Sequence, residues 1–276
     1  MKTTQSVGLI GTGSLTDSPL TRFWWLSERL GPVKSASYRV ASRIVNMLRA
    51  GHPVKDYAQF QACDLILVCV PDENVAQVVS EMLLSPVSWH GKAVVLCSAW
   101  LDSGALHDFS ARGALVGSIT PIPGFDDERY LVEGDAFAIR QSRSLVEYRE
   151  RRVVAIDRWL KPLYLAALTC TGSLLFALLH TAFESLQHAG IRPSPSAILL
   201  ERQITRTFRA FVKGGRRAYS APRELPKQLH ALSGANPELA SYLEQSSYLA
   251  SRLMGTASDK MTGGSKKKTR SVHGTA

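Results

Sequence analysis

The sequence predicts an α/β protein, in which a doubly wound parallel sheet is followed by an all-helical second domain. In the first part of the chain, short apolar runs of the kind typical of buried parallel strands alternate with stretches of helical periodicity. The first helical stretch should end near Gly31-Pro32, residues 136–139 should add an edge strand, and residues 145–159 should form a helix. From residue 163 onward only helical stretches follow. We therefore expect a sheet domain over residues 1–161, a helical domain over residues 162–256 and a disordered basic tail over residues 257–276.

The first apolar run ends in a glycine-rich turn. Gly11 and Gly13 are one residue apart and precede apolar residues at helical spacing, which predicts a strand, a tight turn and a helix. Gly11 would permit the turn, and Gly13 would let a pyrophosphate approach the backbone at the helix N-terminus. Thr16 stands where a third glycine is usual. Taken alone, the motif therefore fits a glycine turn of another α/β protein equally well, but several later segments agree with a nucleotide site. The predicted cofactor contacts here are Gly11, Thr12, Gly13, Ser14 and Leu15.

The second strand, expected over residues 33–39, bears on the type of cofactor. Dinucleotide domains that bind NAD place an acidic residue near this strand end to hold the ribose hydroxyls. The sequence has no acid between Glu28 and Asp56, and it offers Tyr38 and Arg39 there instead. A guanidinium with nearby hydroxyl groups suits a 2′-phosphate, so NADP is favoured over NAD. The alternative is that Arg39 is a surface cation.

Polar side chains follow the later strands at their carboxyl ends. Val70, Pro71 and Asp72 follow the apolar run of residues 64–69, and Ser98 follows the next strand. Thr120 ends the strand after that. Because ligands of open α/β sheets lie at this edge, the first four are predicted cofactor contacts, and Ser98 and Thr120 are also catalytic candidates. Alternatively, the two hydroxyls only cap turns, and Asp72 only opens the next helix.

The long apolar stretch of the helical domain carries the two remaining catalytic candidates, Ser173 and His180. They lie seven residues apart, nearly on one helix face, and only His180 is a strong general acid. The alternative, which we favour, is a core histidine bonded to a carbonyl. Residues 163–179 are nearly free of charge. We expect this helix to be buried between two subunits, which predicts a homodimer through the helical domain and no membrane span.

Composition narrows the function classes. The formal net charge is +10, but part of it lies in the tail and along one helix, and no nucleic-acid motif is present, so nucleic-acid binding is not favoured. The four cysteines form no C-x-x-C pair, and no metal-ligand spacing is found. The chain shows no signal peptide at its start, and we expect a cytoplasmic protein with buried, reduced thiols.

The order of these motifs resembles a family of Rossmann-like proteins joined to a helical domain of unknown function, which are distant relatives of pyrroline-5-carboxylate reductase and 6-phosphogluconate dehydrogenase. The resemblance implies an NAD(P)-binding domain, a helical domain packed against a second subunit, and a pocket between the domains. The residues that carry it are Gly11-Thr12-Gly13, Val70-Pro71-Asp72, Ser98, Ile119-Thr120-Pro121 and the helix of residues 164–190.

The chain also departs from that family's pattern at three places. Thr120-Pro121 stands where members often have His-Pro, Tyr164-Leu165 where they often have Tyr-His, and Gly172-Ser173 where they often have Ser-Asn. These replacements put a shared chemistry in doubt without removing the fold.

Three hypotheses of function follow. The first is an NADP-dependent oxidoreductase that transfers a hydride to or from a small imine, keto or hydroxy compound. The second is a non-catalytic nucleotide-binding or partner-binding protein that has kept the fold. A third and weaker hypothesis is nucleic-acid association through the basic face and tail.

Overall fold

The computed structural model describes residues 6–11, 29–124, 129–146 and 153–255. The chain divides into two compact units between Ala167 and Leu168. The predicted first helix, the predicted contacts Thr12, Gly13, Ser14 and Leu15, and the predicted basic tail all lie outside the described residues.

The first unit is built on one sheet, and its order is that of a nucleotide-binding α/β fold. The described strands are β1 Val7–Gly11, β2 Leu30–Lys34, β3 His52–Pro53, β4 Leu65–Cys69, β5 Ala93–Leu96, β6 Leu115–Pro121, β7 Tyr130–Gly134 and β8 Val153–Ala155. They lie in the order β3-β2-β1-β4-β5-β6-β7-β8. All neighbours are parallel except β6 and β7, which are antiparallel. The order reverses beside β1, which places the expected ligand crevice at the carboxyl ends of β1 and β4. The prediction of a doubly wound sheet is confirmed.

Helices on both faces of this sheet bury the alternating side chains of its central strands. Leu65 and Leu67 of β4 belong to one apolar core, whereas Ile66 and Val68 belong to the other. A central parallel strand covered on both faces needs such a continuous apolar run. The helices of this unit are α1 Tyr38–Leu48, α2 Val75–Leu83, α3 His107–Ser110 and α4 Ala136–Val146, and α5 Lys161–Thr169 begins in it.

Two predicted elements after β6 are wrong. Residues 136–139 are the first turn of α4 instead of an edge strand, and the helix expected over residues 145–159 is replaced in its second half by β8. Gly134 explains the first error. Its φ of 122° is open to glycine, and a Cβ there would lie 2.3 Å from the carbonyl oxygen of Val116. The chain therefore ends β7 at this glycine and turns into a helix.

The bounds of β2 also differ from the expectation. The strand begins at Leu30 and ends at Lys34, so Gly31 and Pro32, expected to end the first helix, lie inside it. Ser37, expected in the strand, is the N-cap of α1, and its side chain accepts a hydrogen bond from the backbone N–H of Val40 at 3.3 Å. Tyr38 and Arg39 consequently open a helix.

The second unit is helical throughout its described residues, as predicted. A π-helical segment, Cys170–Leu174, joins α5 to α6, Leu175–His188. Three more α-helices follow, α7 Pro193–Gly214, α8 Leu225–Ala235 and α9 Pro237–Leu253. In the described residues one continuous helix, Arg158–His188, is long and apolar enough to cross a membrane by length and composition, and its apolar window, of mean hydropathy 1.8, has none of its residues buried. That the chain does not span a membrane stays a prediction.

Candidate nucleotide-binding edge of the sheet

The loop that leaves β5 is organised by the hydroxyl of Ser98. This Oγ donates a hydrogen bond to Oδ1 of Asp72 at 2.7 Å. It accepts from the backbone N–H groups of Trp100 at 3.1 Å and Leu101 at 2.9 Å. The side chain is 4% exposed. Ser98 therefore fixes the shape of the loop and ties it to the residue that follows β4.

Thr120 and Asp72 meet the same loop, so three of the predicted site residues come together at this edge. Thr120 Oγ1 donates a short hydrogen bond to the carbonyl oxygen of Ser98. Asp72 is half-buried and opens a 3₁₀ turn before α2. Because both hydroxyls are already donated within the protein, the geometry favours the turn-capping interpretation of Ser98 and Thr120 over proton transfer.

Behind this loop lies a buried charged network that the sequence analysis missed. Lys161, the first residue of α5, is 0% exposed. Its Nζ donates to the carbonyl oxygens of Leu101 at 2.5 Å and Ser98 at 3.3 Å, and to Ser118 Oγ at 2.9 Å. Every proton of the ammonium group thus has an acceptor within the sheet unit.

Glu133 supplies the opposite charge for this network. It is 1% exposed and stands opposite Ser118 in the β6–β7 pair. Its carboxylate accepts from the hydroxyl of Ser118, from Ser103 Oγ at 2.6 Å and from Ser103 N–H at 2.8 Å. Burial lowers the pKa of Lys161, while the carboxylates of Glu133, Asp102 and Asp72 and the Cys97 thiol act in the opposite direction. Lys161 and Glu133 are thus opposite charges bridged by the hydroxyl of Ser118, and both are hydrogen-bonded within the core.

A second polar cluster lies at the carboxyl end of β2. Ser35 directly follows the strand and is 7% exposed, and its buried Oγ has no hydrogen-bond partner among the described residues. Tyr38 and Arg39 are exposed on the first turn of α1, and that turn has no acidic residue. Lys55, which follows β3, places its Nζ 5.7 Å from the centre of the Tyr38 ring. An orphaned hydroxyl, a helix N-terminus and two exposed cations form a setting that suits an anionic group.

Lys55 was missed by the sequence analysis, although its position after a strand could have indicated it.

The switch point between β1 and β4 holds the remaining predicted contacts of this unit. Gly11, the last residue of β1, pairs with Cys69, and Val70 and Pro71 follow directly. Val70 is 8% exposed and belongs to the core, so only its backbone is placed to meet a ligand.

Ser173 and His180 lie in the second unit. Ser173 is part of the π-helical segment and His180 is on α6, and both are exposed. His180 is thus not buried within the single chain, and its assignment as a core histidine stays a prediction that depends on burial by a second subunit. A π-helical turn within an α-helix is a recurrent feature of functional sites.

The structure adds no metal chemistry to this picture. The described residues contain no group of three or more His, Cys, Asp or Glu side chains that could hold a metal ion. The cysteines are free, with Cys63, Cys69 and Cys97 buried and Cys170 exposed.

The fold is shared with solved structures, although no protein-family model matches the chain and no curated protein matches its sequence. An imine reductase from Aspergillus terreus, solved with NADPH4 and dibenz[c,e]azepine, is 17% identical with a TM-score of 0.62, and the match covers 94% of this chain and 90% of that one. A variant imine reductase from Myxococcus stipitatus, solved with NAD+, is 17% identical with a TM-score of 0.63 over 92% of this chain and 93% of that one.

A reductive aminase from Aspergillus terreus, solved with NADPH and ethyl-5-oxohexanoate, is 18% identical with a TM-score of 0.59, over 92% of this chain and 88% of that one. The chain therefore shares the Rossmann-like fold of these solved structures. The predicted fold is thereby confirmed in both its parts.

Proposed function

We propose that the protein is an NADP-dependent oxidoreductase that transfers a hydride to or from a small imine, keto or hydroxy compound. The observation that carries the choice of NADP is the turn from β2 into α1, where an orphaned buried hydroxyl lies beside an acid-free helix N-terminus. The likeness to enzymes solved with NADPH and with NAD+ supports a nicotinamide dinucleotide in general.

The charges at this turn support a phosphorylated ribose. An NAD-selective turn presents a carboxylate to the ribose hydroxyls, and a 2′-phosphate would be repelled by it. Here Arg39 and Lys55 are exposed cations. Ser35 Oγ can donate the hydrogen bond that it lacks within the described protein. A dianionic phosphate at this turn would be attracted by these cations, and the dipole of α1 would add to the attraction.

The bound cofactor would supply the hydride, and the protein would supply position and a proton. Ser98, Thr120 and Asp72 hold the shape of the β5 exit loop at the edge where the cofactor would lie. Since both hydroxyls are committed, we assign proton donation to His180, the exposed imidazole of the helical unit, with Ser173 nearby in sequence.

The direct test is cofactor binding followed by turnover. We expect NADPH to raise the melting temperature of the purified protein and to bind more tightly than NADH in calorimetry. We also expect NADPH oxidation with members of a panel of cyclic imines, keto acids and ketones mixed with amines. Failure of both NADPH and NADH to bind would refute the proposal. Tight binding without turnover on the panel, unaffected by His180→Ala, would favour the non-catalytic alternative.

We further propose a homodimer formed through the helical unit. Its long helices expose large apolar side chains, including Phe176 at 74%, Phe208 at 63% and Phe211 at 58%. Contiguous apolar helix faces of this kind are covered by a partner in soluble proteins. A second copy is the occupant that we propose, because the same faces are then covered on both chains.

Light scattering after size-exclusion chromatography checks this proposal. We expect a dimer for the wild type and a shift to monomer for Phe176→Glu, because a carboxylate in an apolar interface loses its hydration. Leu84→Glu is the matched control, since Leu84 is 87% exposed at the end of α2 in the other unit, and we expect it to stay dimeric. A wild-type monomer at micromolar concentration would contradict the proposal, and association that requires lipid would point to a membrane surface.

A further inference from the structure

Among the described residues of the sheet unit two lysines are buried, and each one donates to two backbone carbonyls. Lys92, before β5, donates to Gln61 at 2.6 Å and Cys63 at 2.7 Å. Lys161 donates to Leu101 and Ser98 after β5. The two ammonium groups therefore make similar bonds at opposite ends of the same strand, and only Lys161 lies at the carboxyl edge. Burying a charged ammonium group costs free energy. We therefore expect each lysine to stabilise the backbone segment to which it donates.

Lys161 holds the two ends of one short loop. Residues 98–101 leave β5, and the carbonyl oxygens at their first and last positions both accept from Lys161 Nζ. The Ser98 hydroxyl closes the same loop from its other side by accepting from two backbone N–H groups. Trp100, between the two ends, is 61% exposed. The loop is thus fixed from within by Ser98 and from the core by Lys161, while its tip faces solvent.

We propose that Lys161 is a positioning residue, which holds the β5 exit loop of residues 98–101 in the conformation that receives the nicotinamide half of the cofactor. Ser118 and Glu133 keep the ammonium group in place, because Ser118 accepts from Lys161 and donates to Glu133. Lys161 acts through the loop and does not itself touch the reactants, since it is fully buried. The role of the loop in catalysis rests on the proposed function, whereas its conformational dependence on Lys161 does not.

Fluorine NMR of the full chain labelled with 5-fluorotryptophan tests the conformational part without any cofactor. The chain has five tryptophans, whose signals are assigned by single Trp→Phe substitutions. In Lys161→Met we expect the Trp100 signal to shift or broaden, because the loop loses its bonds to the core. Trp89, 2% exposed and bonded through its carbonyl to the backbone of Lys92, should keep its signal.

Lys92→Met is the matched control, because it removes a buried ammonium group with similar bonds at the other end of β5. We expect the reverse pattern, in which the Trp89 signal changes and the Trp100 signal does not. If Lys161→Met does not fold, Glu133→Gln provides the second variant, and it should move the Trp100 signal in the same direction by a smaller amount. An unchanged Trp100 signal in the folded Lys161 variant, or in Glu133→Gln, would overturn the proposal.

Steady-state kinetics of the same variants at saturating NADPH tests the catalytic part of the proposal. We expect Lys161→Met to lower kcat by about tenfold or more, since small misplacements of a reacting group are costly, with less change in the substrate KM. Lys92→Met should keep the wild-type kcat. If the wild type neither binds nor oxidises NADPH, the proposed function fails and the NMR result still decides whether Lys161 holds the loop. A changed Trp100 signal with unchanged kcat would overturn the catalytic part of the proposal.

Discussion

Arg39→Asp is expected to reverse the preference of the protein for the phosphorylated cofactor. Arg39 is exposed on the first turn of α1, four residues after Ser35, whose buried hydroxyl lacks a hydrogen-bond partner among the described residues. Loss of a charge-assisted pair with the 2′-phosphate, together with the new repulsion, should cost about 3 kcal/mol, which weakens NADPH binding by about 100-fold. NADH lacks that phosphate, and a carboxylate at this position can accept from its ribose hydroxyls. We therefore expect NADH affinity to be maintained or increased.

Calorimetric titration of both cofactors at one fixed ionic strength measures this change. Arg143→Asp is the control, because it makes the same change of charge on an exposed residue in the last turn of α4. It should leave the NADPH-to-NADH ratio unchanged. An equal loss of affinity for the two cofactors in Arg39→Asp would show that Arg39 does not recognise the phosphate, and no loss for either would place the ribose elsewhere.

Glu133→Ala is expected to be the most destabilising substitution in the sheet unit that we describe. It leaves the buried ammonium of Lys161 without its counter-charge and removes the acceptor of the Ser103 N–H and hydroxyl groups. Breaking a buried ion pair from one side costs about 3–5 kcal/mol in free energy of unfolding. Urea denaturation, monitored by circular dichroism, measures this loss of unfolding free energy.

Two comparisons make this result specific. Glu81→Ala removes an exposed carboxylate that accepts from Tyr57 and Gln77, and we expect a loss of about 1 kcal/mol or less. Adding Lys161→Met to Glu133→Ala should recover part of the lost stability, because the unpaired charge is then gone. A loss for Glu133→Ala as small as that for Glu81→Ala would mean that Lys161 is not held by this carboxylate.

The sheet was predictable because its central strands satisfy a simple physical demand. A parallel strand covered on both faces has to be apolar throughout, and β4 and β5 show this directly in the sequence. Beyond β6 the hydrophobic pattern of the sequence indicates strands and helices less clearly. Glu133 interrupts an apolar run in β7, and α4 carries polar side chains on its solvent face, so a local reading of residues 136–159 assigned both elements wrongly.

The candidate site was predictable where it depends on strand ends and not where it depends on burial. Asp72, Ser98 and Thr120 follow from the rule that parallel strands end at one edge, and the structure does bring them together. Lys161 and Glu133 meet only because β7 pairs with β6 in the register that sets Glu133 opposite Ser118. Nothing in the local sequence specifies that register, and Lys161 only marks the expected boundary between the two domains.

The π-helical segment Cys170–Leu174 also determines which way the downstream residues face. An α-helix advances by about 100° per residue, so the wider turn gives α6 a different angular phase from the one that an unbroken continuation of α5 would have. Removing one residue from this segment would restore a uniform helix and turn Phe176 and His180 together to a new azimuth. The directions in which Phe176 and His180 face therefore both depend on the π-helical segment Cys170–Leu174.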